Sequence, residues 1–235
     1  GKLDLNADVS QYLDFELPGH SEPITLIHLL THTAGFEDRV QALFVVDEED
    51  LVSLEEYVKK ARPDRVYPPG EVGAYSNYGA ALAGYIVQRV SGEPFETYVE
   101  RHIFEPLGMA HSTFRQPLPP PLAGDMAGGY GYAGGEFVPG EFELISISAA
   151  GSMSTTAADM ARFMIAHLQG GQLGTARILQ AETAARMHTT LWSPDPRVPG
   201  MGYGFFLNER NGRRIAQHGG STLLFQSGLY LFPED

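Results

Sequence analysis

The hydrophobic pattern of the chain changes along its length, and this change constrains the fold more than any other feature. Apolar residues recur at helical spacing in several segments between residues 24 and 170. After residue 200, the runs 203–207 and 229–232 are β-prone, and Asn211-Gly212 favours a tight hairpin turn between strands. Helices in the middle and strands near the end predict an α+β fold.

Start and stop signals locate the individual helices. Each predicted helix combines a capping residue or a turn at its start with a glycine or proline at its end. The predicted helical segments are 24–36, 53–62, 74–90, 94–106 and 154–170. Segment 116–143 is rich in proline and glycine and is predicted to form loops and short strands. With Tyr130 and Tyr132, it either lines a cleft or forms a surface wall.

Composition excludes several classes of function. The 29 acidic residues outnumber the 16 basic ones, and the formal net charge of -13 would repel a nucleic-acid backbone. The densest basic stretch, 210–214, surrounds the Asn211-Gly212 turn and is interpreted as a solvated turn. The absence of cysteine excludes disulfides and a cysteine nucleophile, and it fits either side of a membrane. No apolar run approaches the ~20 residues that span a bilayer.

The first chemical cluster is Tyr75-Ser76-Asn77, which follows the Tyr-Pro-Pro-Gly turn at 67–70 and opens a predicted helix. A phenol has an ordinary pKa of about 10, so Tyr75 can act as a base or proton shuttle only if a nearby cation stabilises the phenolate or if it acts within a relay. The amide of Asn77 can both donate to a substrate and accept from it. In the structural alternative, Tyr75 packs and Asn77 caps the helix.

The second cluster is His218-Gly219-Gly220-Ser221, at the end of a β-prone run. Glycines beside a strand let a ligand approach the backbone, where N–H groups can stabilise an oxyanion. His218 can bind a substrate carboxylate or assist proton transfer. The alternative is a glycine turn with an incidental histidine.

A third pair, His28 and His32, lies four residues apart on one face of the predicted helix, a spacing that suggests a metal site. The glutamate that follows the first histidine of a hydrolytic zinc motif is absent, because residues 29–31 are Leu-Leu-Thr. We therefore interpret both histidines as hydrogen-bonded structural residues and predict no metal site.

These segments resemble, in type and order, the β-lactamase-related serine hydrolases, a family that includes class C β-lactamases, D,D-peptidases, D-aminopeptidases and esterases. ITLIHLLTHTAG at 24–35 resembles the family's helix-and-turn landmark, and YSNYG at 75–79 resembles its Tyr-x-Asn motif. HGG at 218–220 is similar to the third motif, which is Lys-Thr-Gly in many β-lactamases and His-x-Gly in many peptidases and esterases. The segments 106–109 and 150–155 resemble the family's connecting segments.

The resemblance covers nearly the whole chain and implies a β-lactamase/penicillin-binding-protein-like fold, with a helical region and an antiparallel sheet flanked by helices. One landmark is missing. Catalysis in the family starts at Ser-x-x-Lys, and neither Lys59 nor Lys60 has a serine three places before it, while Lys2 has no such position. The segment 112–115 (Ser-Thr-Phe-Arg) imitates the spacing, but arginine stays protonated and cannot act as the base.

We therefore expect a partial domain over residues 1–235, incomplete at both ends. The region 24–170 is expected to hold mainly helices and loops, and the region 200–235 the sheet strands. The nucleophile segment is expected to be cut off rather than mutated, so that this chain alone is inactive.

For the intact protein, the resemblance implies an acyl-enzyme mechanism. Tyr75 would handle the proton of the missing serine, Asn77 would orient the acyl group, and His218 would bind or polarise the substrate. The backbone N–H of Ser221 would form half of an oxyanion hole, with the glycines beside it facing the substrate. The substrate would be an ester, a D-amino-acid peptide or a β-lactam. A histidine at position 218, where many β-lactamases have lysine, slightly favours a peptidase or esterase. No cofactor is implied.

Two other classes stay open. A non-catalytic binding or scaffold domain could keep the family's cleft without its nucleophile. A metal-dependent hydrolase is the more distant alternative, which chelation and reloading would test.

Overall fold

The computed structural model describes residues 2–17, 19, 22–39 and 43–234. Most of the helices lie in the first two thirds of the chain, and the largest sheet lies in the last sixth. The α-helices are α1 (Leu26–Leu30), α2 (Leu54–Lys60), α3 (Asn77–Ser91), α4 (Phe95–Val99), α5 (Glu105–Leu107), α6 (Pro120–Ala123), α7 (Ser148–Gly151), α8 (Ala157–Leu168) and α9 (Ala181–Met187). Within the described ranges, none is long and apolar enough to cross a bilayer.

Short strands and turns complete the chain. The strands are β1 (Phe44–Val45), β2 (Gly129–Ala133), β3 (Glu136–Gly140), β4 (Leu144–Ile145), β5 (Gln172–Leu173), β6 (Ala176–Arg177), β7 (Gly200–Met201), β8 (Phe206–Arg210), β9 (Arg213–Ser221) and β10 (Gln226–Leu231). One 3₁₀ turn (Val9–Tyr12) precedes α1, and a second 3₁₀ turn (Glu48–Asp50) and one π-helical turn (Glu100–Phe104) lie between helices. The mixture confirms the predicted α+β class.

The sequence signals placed most helices correctly. Ser53, Ser76 and Thr156 each accept a backbone N–H at the start of α2, α3 and α8, as capping theory requires. The prediction for 24–36 was too long, because α1 ends at Leu30 and His32 adopts a left-handed φ of 53°. Helices α6, α7 and α9 carried no signal that we recognised.

Helix α3 is central to the helical region that precedes the largest sheet in the chain, which we call the helical half. Its buried positions, Tyr78, Ala81, Leu82, Tyr85 and Ile86, recur at the three- and four-residue spacing of one helix face. They pack in one cluster with side chains from α1, α2 and the N-terminal segment. Burying each large apolar side chain stabilises the fold by roughly 1.5–3 kcal/mol, so this cluster fixes the position at which α3 begins.

The largest sheet has the antiparallel order β10-β9-β8-β7. The predicted hairpin between β8 and β9 is confirmed: Asn211 and Gly212 have φ of 55° and 75°, the left-handed values of a type I′ turn. Leu207, Ala216 and Leu231 align on one face of the sheet. They form a buried cluster with Met164 of α8 and Met187 of α9.

Contacts between distant segments bring the sheet against the helical half. The indole N–H of Trp192 donates to the Gly70 carbonyl at 2.8 Å, and a Cβ on Gly73 would lie 2.6 Å from the indole ring. The Gly204 N–H donates to the Leu30 carbonyl at 3.0 Å. These contacts hold the 70–73 loop, which leads into α3, beside the sheet.

The segment 116–143 contains the predicted loops and short strands, with α6 in addition. Strands β2 and β3 pair as a hairpin from Gly129↔Gly140 to Ala133↔Glu136. The Tyr132 and Phe137 side chains contact each other on this hairpin, at a ring separation of 5.1 Å, and both are largely exposed.

The cap of α2 offers a simple test of these local assignments. Ser53→Ala removes the acceptor of the Glu56 N–H, so the free energy of unfolding should fall by about 1 kcal/mol in urea titrations. Ser53→Asn keeps a capping oxygen and should restore most of the loss. Equal stability of all three proteins would show that Ser53 does not cap α2.

Candidate functional site

The Tyr75-Ser76-Asn77 cluster lies at the junction of a loop and α3. Ser76 is the N-cap, and its Oγ accepts the Gly79 N–H at 3.0 Å. Asn77 is therefore the first helical residue, and the structural alternative in which Asn77 caps the helix is wrong. No described residue hydrogen-bonds to the side chain of Asn77, so its amide is available to a ligand.

His32 packs against this junction and hydrogen-bonds to its backbone. Its buried ring packs against that of Tyr75 at 4.2 Å with 31° between the planes, and its Nδ1 accepts the Ser76 N–H at 3.2 Å. The His32 carbonyl accepts the Ala74 N–H at 2.8 Å. Burial, followed by the nearby imidazole of His218, lowers the pKa of His32 to about 4. His32 is thus neutral at pH 7 and holds the backbone on both sides of Tyr75.

The Tyr75 phenol is 41% exposed and faces the sheet. Partial burial, with a contribution from the Asp38 carboxylate, raises its pKa above the usual value of 10.0. A phenolate at this position therefore needs an added positive charge. No described residue hydrogen-bonds to the Tyr75 hydroxyl, which leaves it free to bind a partner group.

His218 and Phe206 meet Tyr75 across the cleft. The ring of Tyr75 stacks on that of Phe206 at 6.4 Å with 14° between the planes, and its distance to the His218 ring is also 6.4 Å. The Phe206 and His218 rings are 5.6 Å apart. Three aromatic groups, from the loop before α3 and from strands β8 and β9, therefore enclose one side of the site.

His218, Gly219, Gly220 and Ser221 are the last four residues of β9, and we call them the β9 edge. Pairing with β8 runs from Arg210↔Arg213 to Phe206↔Gln217, so the β9 edge extends beyond β8. On its other side, the β9 edge stays paired with β10. The β9 edge thus has one side open towards Tyr75.

The ladder alternation shows which backbone groups point to that open side. The Thr222 N–H donates to the Phe225 carbonyl at 2.9 Å, which makes this a hydrogen-bonded pair. Because antiparallel pairs alternate, Ser221↔Gln226 is a non-hydrogen-bonded pair, and the Ser221 N–H points away from β10. The site therefore presents a backbone donor, the kind of group that stabilises an oxyanion.

The same alternation accounts for the orientation of His218. Gly219↔Gly228 is also a non-hydrogen-bonded pair, so the Gly219 carbonyl points to the same side as the Ser221 N–H. The Nδ1 of His218 lies 2.8 Å from this carbonyl and, because a carbonyl oxygen only accepts, donates to it. The other ring nitrogen, Nε2, is not engaged by this bond. A Cβ on Gly219 would meet only the Ser227 carbonyl oxygen, at 3.7 Å, so the backbone there is open to close approach.

The two histidines considered as metal ligands serve local structure. The Nδ1 of His28 accepts the Thr25 N–H at 3.2 Å in a capping box, and His32 binds the Ser76 N–H. They do not share a helix face, because α1 ends before His32. Among the residues that the structure describes, no three His, Cys, Asp or Glu side chains converge as a metal site would require.

The Ser112–Arg115 imitation of the nucleophile motif is also structural. Ser112 is buried and donates to the Asp159 carboxylate at 2.9 Å. Arg115 binds both carboxylate oxygens of Glu100, each at 2.7 Å. Both side chains are committed to the packing around α8 and the π-helical turn, and neither belongs to the site at Tyr75.

Sequence reasoning predicted Tyr75, Asn77 and the β9 edge as site residues, but it did not predict the contacts that His32 and Phe206 make with Tyr75. The interpretation of His32 as a hydrogen-bonded structural residue is confirmed by its bond to the Ser76 N–H, whereas Phe206 was predicted only as a strand residue. Their contacts with Tyr75 join segments far apart in the chain, and no local spacing signals such contacts.

Comparison with known proteins gives the context of this site. A Bacillus subtilis (strain 168) protein, provisionally named penicillin-binding protein PbpX, is 32% identical over 176 residues, which is 72% of this chain and 41% of that protein. The octameric penicillin-binding protein homologue from Pyrococcus abyssi superposes with a TM-score of 0.83 at 27% identity, covering 99% of this chain and 54% of that one. A D-stereospecific amidohydrolase from Streptomyces sp. superposes with a TM-score of 0.75 at 25% identity, covering 99% and 72%.

The chain spans about half the length of the curated relatives it matches, 41% and 53% for the first two. The sequence model of the Beta-lactamase family matches residues 1–235. The fold, with its helices and antiparallel sheets, agrees with this match. The chain belongs to the Beta-lactamase family, which also contains penicillin-binding proteins and their hydrolase relatives.

Proposed function

We propose that this chain forms two walls of the active site of a serine hydrolase that acts through an acyl-enzyme. Tyr75 and Asn77 form one wall, and the β9 edge forms the other. The observation that carries the proposal is the meeting of Tyr75 with His218 beside a Ser221 N–H directed away from β10. A Ser-x-x-Lys segment, absent from these 235 residues, would supply the nucleophile in a longer form of the protein.

In this mechanism, the serine Oγ attacks the substrate carbonyl carbon and transfers its proton to the Tyr75–lysine pair. Because partial burial raises the pKa of Tyr75, the lysine ammonium is needed to make the phenol an effective proton relay. The Ser221 N–H and the N–H of the nucleophile stabilise the oxyanion. The leaving group departs with the proton, and water then hydrolyses the acyl-enzyme.

Asn77 and His218 position the substrate. The unpaired amide of Asn77 can donate to the acyl carbonyl or accept from a substrate N–H. The Nε2 of His218 accepts a hydrogen bond, or when protonated it binds a carboxylate. A histidine here favours an ester or a D-amino-acid peptide over a β-lactam, and the similarity to a D-stereospecific amidohydrolase supports the peptide class.

The first test compares this chain with a form extended upstream through a Ser-x-x-Lys segment, called the extended form below. Both are treated with fluorescent penicillin and with p-nitrophenyl esters. We expect a covalent adduct and ester turnover only with the extended form, and loss of both when its motif serine is replaced by alanine.

Two other outcomes contradict the proposal in different ways. An adduct on the 235-residue chain alone would show that another residue is the nucleophile. An extended form that binds these compounds without acylation or turnover would favour the non-catalytic binding domain.

A further inference from the structure

The carboxylate of Glu143 binds the turn that follows the β9 edge. It accepts hydrogen bonds from the Thr222 hydroxyl at 2.5 Å, the Leu223 N–H at 2.7 Å and the Leu224 N–H at 3.1 Å. Three donors on consecutive residues thus converge on one side chain, from about 80 positions away in the chain. These three hydrogen bonds to one carboxylate hold the turn in a single conformation, because in other conformations the three donors would have to bind water instead.

The Thr222 hydroxyl links the Glu143 carboxylate to the β9–β10 ladder. Since a carboxylate only accepts, the hydroxyl must donate to Glu143, which leaves its lone pairs for the Phe225 N–H at 3.1 Å. The Thr222 N–H in turn donates to the Phe225 carbonyl. This closed Thr222–Phe225 pair ends the β9–β10 ladder next to Ser221 and holds in place the strand end whose Ser221 N–H points away from β10.

The Leu224 side chain packs the same turn against the β2–β3 hairpin. A Cβ on Gly129 would lie 2.7 Å from Leu224 Cβ, and one on Gly140 would lie 2.5 Å from Leu224 Cδ1. The two glycines face each other at the open end of the hairpin. Glu143 follows Gly140 by three residues, so the hairpin and the turn 222–225 pack as one unit through both polar and apolar contacts.

We propose that Glu143 is a positioning residue for acyl transfer: it fixes the turn 222–225 and thereby directs the Ser221 N–H at the developing oxyanion. The inference rests on the proposed function, since it assigns Glu143 a part in that reaction. Glu143 acts through the turn and contacts neither Tyr75 nor the β9 edge itself. Glu143 should therefore stabilise the transition state and contribute little to substrate binding.

The test is Glu143→Gln in the extended form, with Glu141→Gln as the matched control. Glutamine keeps the size of Glu143 but offers one acceptor oxygen and places an amide NH₂ against backbone donors. Glu141 is exposed in the same segment, so its substitution removes the same charge without touching the turn. We expect kcat to fall about tenfold or more in E143Q with KM changed less than about threefold, and wild-type kinetics in E141Q.

A thionoester substrate separates positioning from a loss of folded protein. Sulfur accepts hydrogen bonds weakly, so a misdirected oxyanion donor matters less for C=S than for C=O. The ratio of wild-type to E143Q rates should therefore be smaller for the thionoester than for the oxygen ester. A simple loss of folded protein would lower both rates by the same factor. Equal ratios, or a fully active E143Q, would overturn the proposal.

Amide hydrogen exchange on the same proteins gives a readout that needs no turnover. The peptide covering 218–226 should exchange faster in E143Q than in E141Q or the wild type. Unchanged exchange would reject the contact between Glu143 and the turn while leaving the proposed function intact. Faster exchange in an extended form without acylation would instead reject the proposed function and, with it, the role of Glu143.

Discussion

Tyr75→Phe in the extended form is expected to lower kcat by roughly 10²–10⁴-fold, the range that general acid–base catalysis contributes. The substitution removes only the hydroxyl. The contacts of the Tyr75 ring with His32 and Phe206 are preserved, because they do not involve the hydroxyl. Since the described residues give the hydroxyl no hydrogen-bond partner, the free energy of unfolding should stay within about 0.5 kcal/mol of the wild type.

Tyr78→Phe is the matched control on the same helix. The Tyr78 hydroxyl is buried and donates to the Val58 carbonyl at 2.8 Å, so this variant should lose about 1 kcal/mol of stability and keep its kcat. The two substitutions thus have opposite signatures in ester turnover and urea unfolding. A Tyr75→Phe protein with wild-type kcat would remove Tyr75 from the proton pathway.

Acid should destabilise the fold through buried imidazoles, and His167 is the clearest case. It is 3% exposed, packs between Phe163 and Phe205, and its Nδ1 lies 3.3 Å from Nε2 of His188. Burial, followed by the nearby imidazole of His188, lowers the pKa of His167 from 6.5 to about 4. The folded protein therefore binds fewer protons than the unfolded chain between pH 6.5 and 4.

It follows that the stabilising contribution of neutral His167 is complete above pH 6.5 and is lost as the pH falls towards 4. Its full size is roughly 3 kcal/mol, since each pKa unit corresponds to about 1.4 kcal/mol. His32, whose pKa is also about 4, acts in the same direction. Urea unfolding between pH 7 and pH 5 should show a steep loss of stability.

Substitution isolates the share of one histidine. His167→Gln keeps a hydrogen-bonding group for His188 but does not titrate, so the loss between pH 7 and 5 should be smaller by about 2 kcal/mol. His111→Gln is the control, because that imidazole is exposed. If the wild type and His167→Gln lost the same amount of stability, the neutral state of His167 would not explain acid sensitivity.

Local chemistry made part of this fold predictable from the sequence. The caps at Ser53 and Thr156 and the Asn211-Gly212 turn depend on neighbours within a few residues, and their positions are confirmed. The end of α1 was missed because His32 takes a left-handed φ, a conformation held by contacts with the distant segment 74–76. Propensity alone cannot predict such a tertiary effect.

In the candidate site, too, only the residues with a local sequence signal could be predicted. Tyr75, Asn77 and His218 were recognisable because each belongs to a short motif beside a turn or a strand end. Phe206 and Glu143 were not, because their roles arise from pairing and packing between segments that are up to 131 residues apart, as for Tyr75 and Phe206. The direction of the Ser221 N–H likewise follows from ladder register, which the sequence does not specify on its own.

Trp192 gives this arrangement an optical consequence. The chain contains one tryptophan, and its indole N–H binds the loop that leads to Tyr75 while its ring covers Gly73. Its emission wavelength depends on whether the indole stays in this contact or meets water. The intrinsic fluorescence of the protein therefore reports directly on whether the helical half and the sheet are assembled around the cleft, without any attached dye.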